Sequence, residues 1–137
     1  MSLDTEWIGK GDMFPEQALD PIVCICFSTM TTHDSRPRAT YALQLWECAP
    51  VPDAAATLWF DDEKTLLMAF RDLFIAYDPD VVTGYNINNF DWPYMFARAR
   101  ALGIEKRFCD FSRVRSEPAR LKRGGAGFKV NLQNLNF

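Results

Sequence analysis

The sequence has little of what a membrane or secreted protein needs. It contains no run of about 18 apolar residues, which is the length that crosses a bilayer. It also has no basic segment followed by an apolar one at its start. Neither a membrane span nor a signal peptide is indicated, and we expect no membrane partner.

Histidine and cysteine, the ligands of most zinc sites, are also scarce. The only histidine is His33, and the four cysteines lack the paired two-residue spacing of a zinc site. We predict that the thiols are reduced and mostly buried, although their number alone leaves an extracellular disulfide framework open. The cysteines are Cys24, Cys26, Cys48 and Cys109.

What the chain does contain is enough apolar surface for one domain. Of its 137 residues 48% are hydrophobic and 14% aromatic, so folding should bury about two-thirds of the unfolded surface. The charge is divided, with a net −10 over residues 1–97 and +7 over 98–137. A basic C-terminal segment could bind a phosphate backbone while the carboxylates of the acidic body hold metal ions. Charge runs are, however, also common on solvated faces.

Hydrophobic periodicity predicts an α/β arrangement. Three strands in succession favour an antiparallel meander, and helices and a further strand follow. In chain order, the predicted elements are strands over 2–7, 22–29, 41–46 and 57–60, a helix from about 61 to 77, a short buried strand over 80–83, and a helix over 92–102 that Gly103 ends.

Three carboxylates stand at positions where chemistry is possible. Strand alternation places Asp4 and Glu6 on one face, where they repel each other unless a divalent cation lies between them. Asp91 follows a turn segment and precedes the last helix, at the mouth of a strand-to-helix loop. The alternatives are a solvated edge strand for the first pair and an N-cap for Asp91.

The stretch Gly84-Tyr85-Asn86-Ile87-Asn88-Asn89-Phe90-Asp91 resembles the second exonuclease motif of family B DNA polymerases, especially the eukaryotic delta type. Asp4-Thr5-Glu6 resembles the first motif of that family. The connection from 9 to 27 is similar too, with its Phe-Pro-Glu and Asp-Pro-Ile steps. The chain departs from the family pattern at Leu3, Thr5 and Trp7, where phenylalanine, isoleucine and a small polar residue or cysteine are more common.

This resemblance implies a fold and a set of metal ligands. The fold would be a ribonuclease H-like exonuclease domain, with a mixed sheet, a three-strand meander and flanking helices, truncated at both ends. Asp4, Glu6 and Asp91 would be catalytic ligands of two Mg²⁺ or Mn²⁺ ions. Asp4 would bridge the ions, Glu6 would hold the one that activates water, and Asp91 would complete the second site.

The resemblance also implies contacts with the single-stranded 3′ end of DNA. Asn86 and Phe90 would contact the terminal nucleotides, and the basic region after Gly103 would lie near the DNA. The predicted DNA-binding residues are Tyr85, Asn86, Asn89, Phe90, Arg113, Arg115, Lys122 and Arg123.

We therefore expect residues 1–122 to be a partial 3′–5′ proofreading exonuclease domain and residues 123–137 to be a flexible or unassigned tail. The parent would be a DNA-directed DNA polymerase of replication that uses deoxynucleotides and accessory subunits. It would be nuclear, or viral in origin. The family's third motif, tyrosine, three residues and aspartate, is absent from the C-terminal third, so we expect this segment to be inactive alone.

Two other functions fit the same residues. One is a stand-alone ribonuclease H-like 3′–5′ exonuclease that acts on DNA or RNA. The other is a catalytically inactive remnant that binds single-stranded nucleic acid.

Overall fold

The computed structural model describes residues 1–52, 56–113, 117–124 and 127–131, and from residue 122 onward it describes the backbone alone. The strands are β1 (Ser2–Trp7), β2 (Ile22–Thr29), β3 (Ala39–Leu45), β4 (Ala56–Phe60), β5 (Arg120–Gly124) and β6 (Gly127–Asn131). The helices are α1 (Glu63–Tyr77), α2 (Asp91–Ala101) and α3 (Glu105–Phe108). None of these helices is long and apolar enough to cross a membrane.

The main sheet has the strand order β1-β2-β3-β4. β1, β2 and β3 pair antiparallel, which confirms the predicted meander, and β4 adds to β3 in parallel. The sheet is therefore mixed, and with its flanking helices it confirms the predicted α/β class of the ribonuclease H-like type. β5 and β6 form a separate antiparallel pair, and β5 crosses the predicted boundary between residues 122 and 123.

The ends of the elements follow local backbone chemistry. β1 and β2 have the predicted bounds, whereas β3 stops at Leu45 because Trp46 has a φ of 69°, which no strand continues. Helix α1 starts after Asp62, whose carboxylate accepts a hydrogen bond from the Thr65 N–H. It ends at Tyr77, and Asp78 is its C-cap, with a left-handed φ of 42°.

The predicted buried strand over 80–83 is wrong in most of its length. Only Thr83 pairs, through one parallel bridge to Ser2, and Val81 is 54% exposed. The Leu3 N–H donates to the Thr83 carbonyl and the Thr83 N–H donates to the Met1 carbonyl, both at 2.9 Å. The bridge nevertheless gives β1 a neighbour on its second side.

The burial of the four thiols also differs from the expectation. All four are free, but only Cys109 is buried, and Cys48 is exposed. Cys24 and Cys26 are half-buried because they lie on the sheet face opposite the helices, across from Glu6 and Asp4 in the β1–β2 register.

A buried ion pair fixes α2 against α1. Arg98 donates from Nε and one terminal nitrogen to the two carboxylate oxygens of Glu63, at 2.9 and 2.6 Å. Glu63 also accepts the N–H of Ile22 at the start of β2, and Arg98 donates to the carbonyl of Gln17. The pair therefore joins both helices, β2 and the connection between β1 and β2.

Gly84 directly follows Thr83, the residue that pairs with β1, and begins the loop before α2. A Cβ at this position would come within 2.3 Å of the Leu3 carbonyl oxygen and 2.4 Å of a methyl group of Ile87. Both neighbours are fixed, since Leu3 is in β1 and Ile87 is buried in the core. The close approach brings the loop against β1.

We predict that Gly84→Ala lowers the free energy of unfolding by about 1–3 kcal/mol, because the added methyl group overpacks this contact. It should also shift the amide NMR resonance of Thr5, which lies two residues beyond Leu3 on β1. Gly103→Ala is the control for the Thr5 resonance, because no atom lies within 4 Å of its new Cβ, while its φ of 72° strains an alanine and lowers stability by itself. An unchanged Thr5 resonance in the Gly84 variant would contradict the prediction.

Candidate functional site

Asp91 is the first residue of α2, and its carboxylate points back to β1. Its Oδ1 accepts two hydrogen bonds from Thr5, one from the backbone N–H at 2.8 Å and one from the hydroxyl at 2.7 Å. The N-cap of α2 is Phe90, with no side-chain capping bond. The N-cap alternative is therefore wrong, since the Asp91 side chain is used in a contact between a strand and a helix.

This contact places Asp91 against the segment of β1 that bears Asp4 and Glu6. Thr5 lies between Asp4 and Glu6, and β1 alternates as predicted, with Leu3 and Thr5 buried and the two acids exposed. The charge of Asp4 is close enough to Asp91 to disfavour its ionisation. Residues 4, 6 and 91 therefore lie around one short segment of β1.

The environment of Asp91 works against its charge. The residue is only 3% exposed, and this burial, the largest cause, raises the pKa of its carboxyl above the ordinary value of 3.8. The hydrogen bonds from Thr5 act in the opposite direction because they favour the ionised form. Thr5, a departure from the family pattern, thus supplies a hydroxyl that supports a buried carboxylate.

The donor set fits a hard divalent cation in kind. Carboxylate oxygens are the ligands that Mg²⁺ and Mn²⁺ prefer, and the side chains of Asp4 and Glu6 are exposed on β1. Within the described residues, however, no three acidic, histidine or cysteine side chains converge closely enough to hold one ion. Metal binding by Asp4, Glu6 and Asp91 therefore stays a prediction.

The loop that precedes α2 exposes four of the eight predicted DNA-binding residues. Tyr85 is 93% exposed and Phe90 is 42% exposed. Asn86 has a left-handed φ of 56°, and its side-chain oxygen accepts a hydrogen bond from the Asn89 amide at 2.6 Å. Buried Ile87 anchors the loop in the core. The exposed residues Tyr85, Asn86, Asn89 and Phe90 therefore form one surface next to Asp91.

An aromatic series extends this surface with residues that sequence reasoning missed. Phe14, in the connection between β1 and β2, lies 6.2 Å from Phe90 between ring centroids. Trp7 meets Phe14 at 6.2 Å and stacks on Tyr94 at 4.5 Å. The Phe-Pro-Glu step was visible in the sequence, but no local pattern showed that its phenylalanine returns to Phe90.

The predicted basic contacts are not brought to this surface by the described side chains. Arg113 is bound to the acidic side chains of Asp78 and Asp80, ahead of the loop. Arg115 lies outside the described residues, and Lys122 and Arg123 are described only as backbone in β5. Their contact with DNA stays a prediction.

The mixed sheet with its flanking helices is of the ribonuclease H-like exonuclease type, and comparison with known proteins agrees. Residues 1–134 match the family model described as DNA polymerase family B, exonuclease domain. The chain belongs to this family, which confirms the resemblance.

Several curated relatives are DNA polymerase delta catalytic subunits. The chain is 39% identical to that of Mesocricetus auratus over 137 residues, which are 100% of the chain and 11% of the relative. It is 43% identical to that of Plasmodium falciparum over 110 residues, or 77% and 10%. For Arabidopsis thaliana the values are 35% over 122 residues, 89% and 11%. The chain thus spans about a tenth of the length of these relatives.

We predict that Thr5→Val lowers the free energy of unfolding by about 1.5–3 kcal/mol in the absence of divalent metal, because it removes a hydrogen bond to a buried charge. Urea denaturation measures the loss. Thr5→Ser keeps the hydroxyl and is the matched control. If the serine variant were as unstable as the valine variant, the hydroxyl would not be the stabilising group.

We also predict that Asp91→Asn is more stable than the unsubstituted chain at neutral pH without metal. The pKa of Asp91 is raised on folding, so its contribution to stability is present below the ordinary value of 3.8 and is lost as the pH rises through the folded value. Asparagine can still accept both bonds from Thr5 and never ionises. The stability difference should therefore shrink toward acid pH in urea titrations, and a difference independent of pH would contradict the argument.

Proposed function

We propose that this chain contributes part of a 3′–5′ exonuclease site that removes the terminal nucleotide of single-stranded DNA. The observation that carries the proposal is the pair of hydrogen bonds from Thr5 to Asp91. They bring the carboxylate of the second motif to the strand that bears the two carboxylates of the first. A structural N-cap would not require this arrangement.

The proposed cofactors are two Mg²⁺ or Mn²⁺ ions. Such a pair supplies a hydroxide nucleophile and stabilises the leaving 3′ oxyanion. Asp4 would hold both ions, Glu6 the one that binds the attacking water, and Asp91 the second. Because Thr5 occupies Oδ1 of Asp91, we assign Oδ2 to the metal.

The loop surface would bind the DNA end. Phe90 and Phe14 present adjacent exposed rings beside Asp91, and base stacking on such rings tolerates every sequence. Asn86 and Asn89 offer amide groups for the backbone or a base edge, and Tyr85 extends the surface outward. The chain would therefore recognise an unpaired strand by its bases and its end.

The parent function that we propose is DNA synthesis with proofreading. It rests on the names of the relatives, which are catalytic subunits of DNA polymerase delta. A parent of this kind would use deoxynucleotides, work with accessory subunits and act in the nucleus. A stand-alone exonuclease and an inactive binding remnant remain the competing functions.

Binding of a single-stranded oligonucleotide tests the site in the chain itself. We expect affinity to increase on addition of Mg²⁺ or Mn²⁺, and Asp4→Asn to abolish this increase because it removes the ligand shared by both ions. Asp61→Asn, an exposed acid just before α1, is the matched control and should leave the metal effect intact. Equal metal effects in the two variants would exclude the proposed metal site.

The competing functions give different results in the same experiment. An inactive binding remnant should retain its DNA affinity in Mg²⁺ when Asp91 is replaced by alanine, whereas the proposed site should lose most of the metal-dependent part. A stand-alone nuclease should release a 3′-terminal label in Mg²⁺, and Asp4→Asn should abolish the release. We expect the isolated chain to bind without releasing the label.

A further inference from the structure

Trp7 is the last residue of β1 and follows the proposed metal ligand Glu6. The β1–β2 register shifts between these two residues, and an irregularity of this kind redirects the side chain that follows it. The Trp7 ring lies flat on Tyr94, with ring centroids 4.5 Å apart and planes 8° from parallel. A small residue, which is more common here in the family, would leave the face of Tyr94 uncovered.

The ring of Tyr94, on which Trp7 stacks, is held rigidly. Tyr94 is 1% exposed, lies in the second turn of α2 and donates its hydroxyl to the carbonyl of Asp20 at 3.0 Å. Arg98, one turn further along the same helix, is fixed by Glu63. Trp7 is therefore supported by the same buried contacts that fix α2.

Phe14 depends on such support because its own surroundings are open. It is 68% exposed and lies in the irregular connection between β1 and β2. Trp7 meets it edge-to-face at 6.2 Å with an angle of 62°, and Phe90 lies 6.2 Å away on the other side. An exposed phenylalanine in a connection would otherwise sample several rotamers.

We propose that Trp7 is a positioning residue that holds the Phe14 ring beside Phe90 and so preorganises the base-stacking surface. This inference rests on the proposed function, since it assumes that both phenylalanines meet the terminal bases. Without Trp7, the Phe14 side chain would become ordered only when the DNA strand binds, and this loss of side-chain freedom would weaken binding. Trp7 itself would touch no nucleotide.

A double-mutant cycle tests the positioning role. Trp7→Leu, Phe14→Leu and the double variant are compared by their dissociation constants for a single-stranded oligonucleotide with 2-aminopurine at its 3′ end. We expect Trp7→Leu to weaken binding by about two- to tenfold. The double variant should bind no more weakly than Phe14→Leu alone, because Trp7 acts only through Phe14. Additive losses would overturn the proposal.

Trp7→Phe is the conservative control, since it keeps a ring on Tyr94 and should restore most of the affinity. Urea denaturation shows whether each variant is folded. If Trp7→Leu does not fold, Trp7→Met takes its place in the cycle, because its unbranched side chain fills irregular space with less strain. No weakening in a folded Trp7 variant, with weakening in Phe14→Leu, would also overturn the proposal.

A measurement without DNA separates this inference from the proposed function. In NMR spectra of the free chain, nuclear Overhauser effects between the Phe14 and Phe90 rings should be present and should be lost in the Trp7→Leu variant. If they persist, the positioning role is wrong. If Phe14→Leu and Phe90→Leu leave DNA affinity unchanged, the stacking surface of the proposed function is wrong, whatever the Trp7 spectra show.

Discussion

Two hydrogen bonds from Thr5 to one oxygen of Asp91 join β1 to α2 across 86 positions of sequence. The bonds are buried, so they are not exchanged for water when the chain fluctuates, and removing one partner would leave a desolvated group behind. They fix where α2 begins relative to β1. That single attachment positions the exposed loop and Phe90 relative to β1, which bears Asp4 and Glu6.

The attachment holds because the far side of α2 is held as firmly. Replacing a buried ion pair such as Glu63–Arg98 by apolar residues is often neutral or stabilising, so the pair is weak evidence for net stability. Its bidentate geometry nevertheless restricts the orientation of Arg98 relative to Glu63. The hydrogen bonds with Ile22 and Gln17 attach the pair to β2 and to the segment that precedes it. Around it, aromatic rings fill the core, with Trp92 between Phe70, Phe74 and Phe111.

Much of this fold could be predicted because its signals are local. The period of two in β1, the apolar run of β2 and the spacing of Leu66, Phe70 and Phe74 each depend on neighbours within a few residues. The prediction over 80–83 failed because the apolar pair Val81-Val82 does not show how many residues of this segment pair with β1. Only the structure shows that Thr83 alone pairs.

The candidate site also contains residues that local sequence predicts and residues whose roles depend on remote contacts. Asp4, Glu6 and Asp91 could be singled out from alternation, turn chemistry and resemblance, and loop exposure follows from the asparagines near Asp91. The roles of Thr5 and Trp7 depend on contacts with α2, which are remote in sequence, so no local pattern contains them. Arg113 shows the converse, since its charge suggested DNA while its described contacts are with Asp78 and Asp80.

Two of the three departures from the family pattern, Thr5 and Trp7, bear directly on the site. Leu3 is buried in the core and keeps the apolar character of its position. Thr5 replaces an apolar side chain by a donor to Asp91, and Trp7 replaces a small one by a ring on Tyr94. Both contacts connect β1 to α2, so the departures strengthen the same junction. The backbone N–H of Thr5 could donate to Asp91 whatever side chain stood at this position, and the threonine hydroxyl adds a second donor to the same buried oxygen.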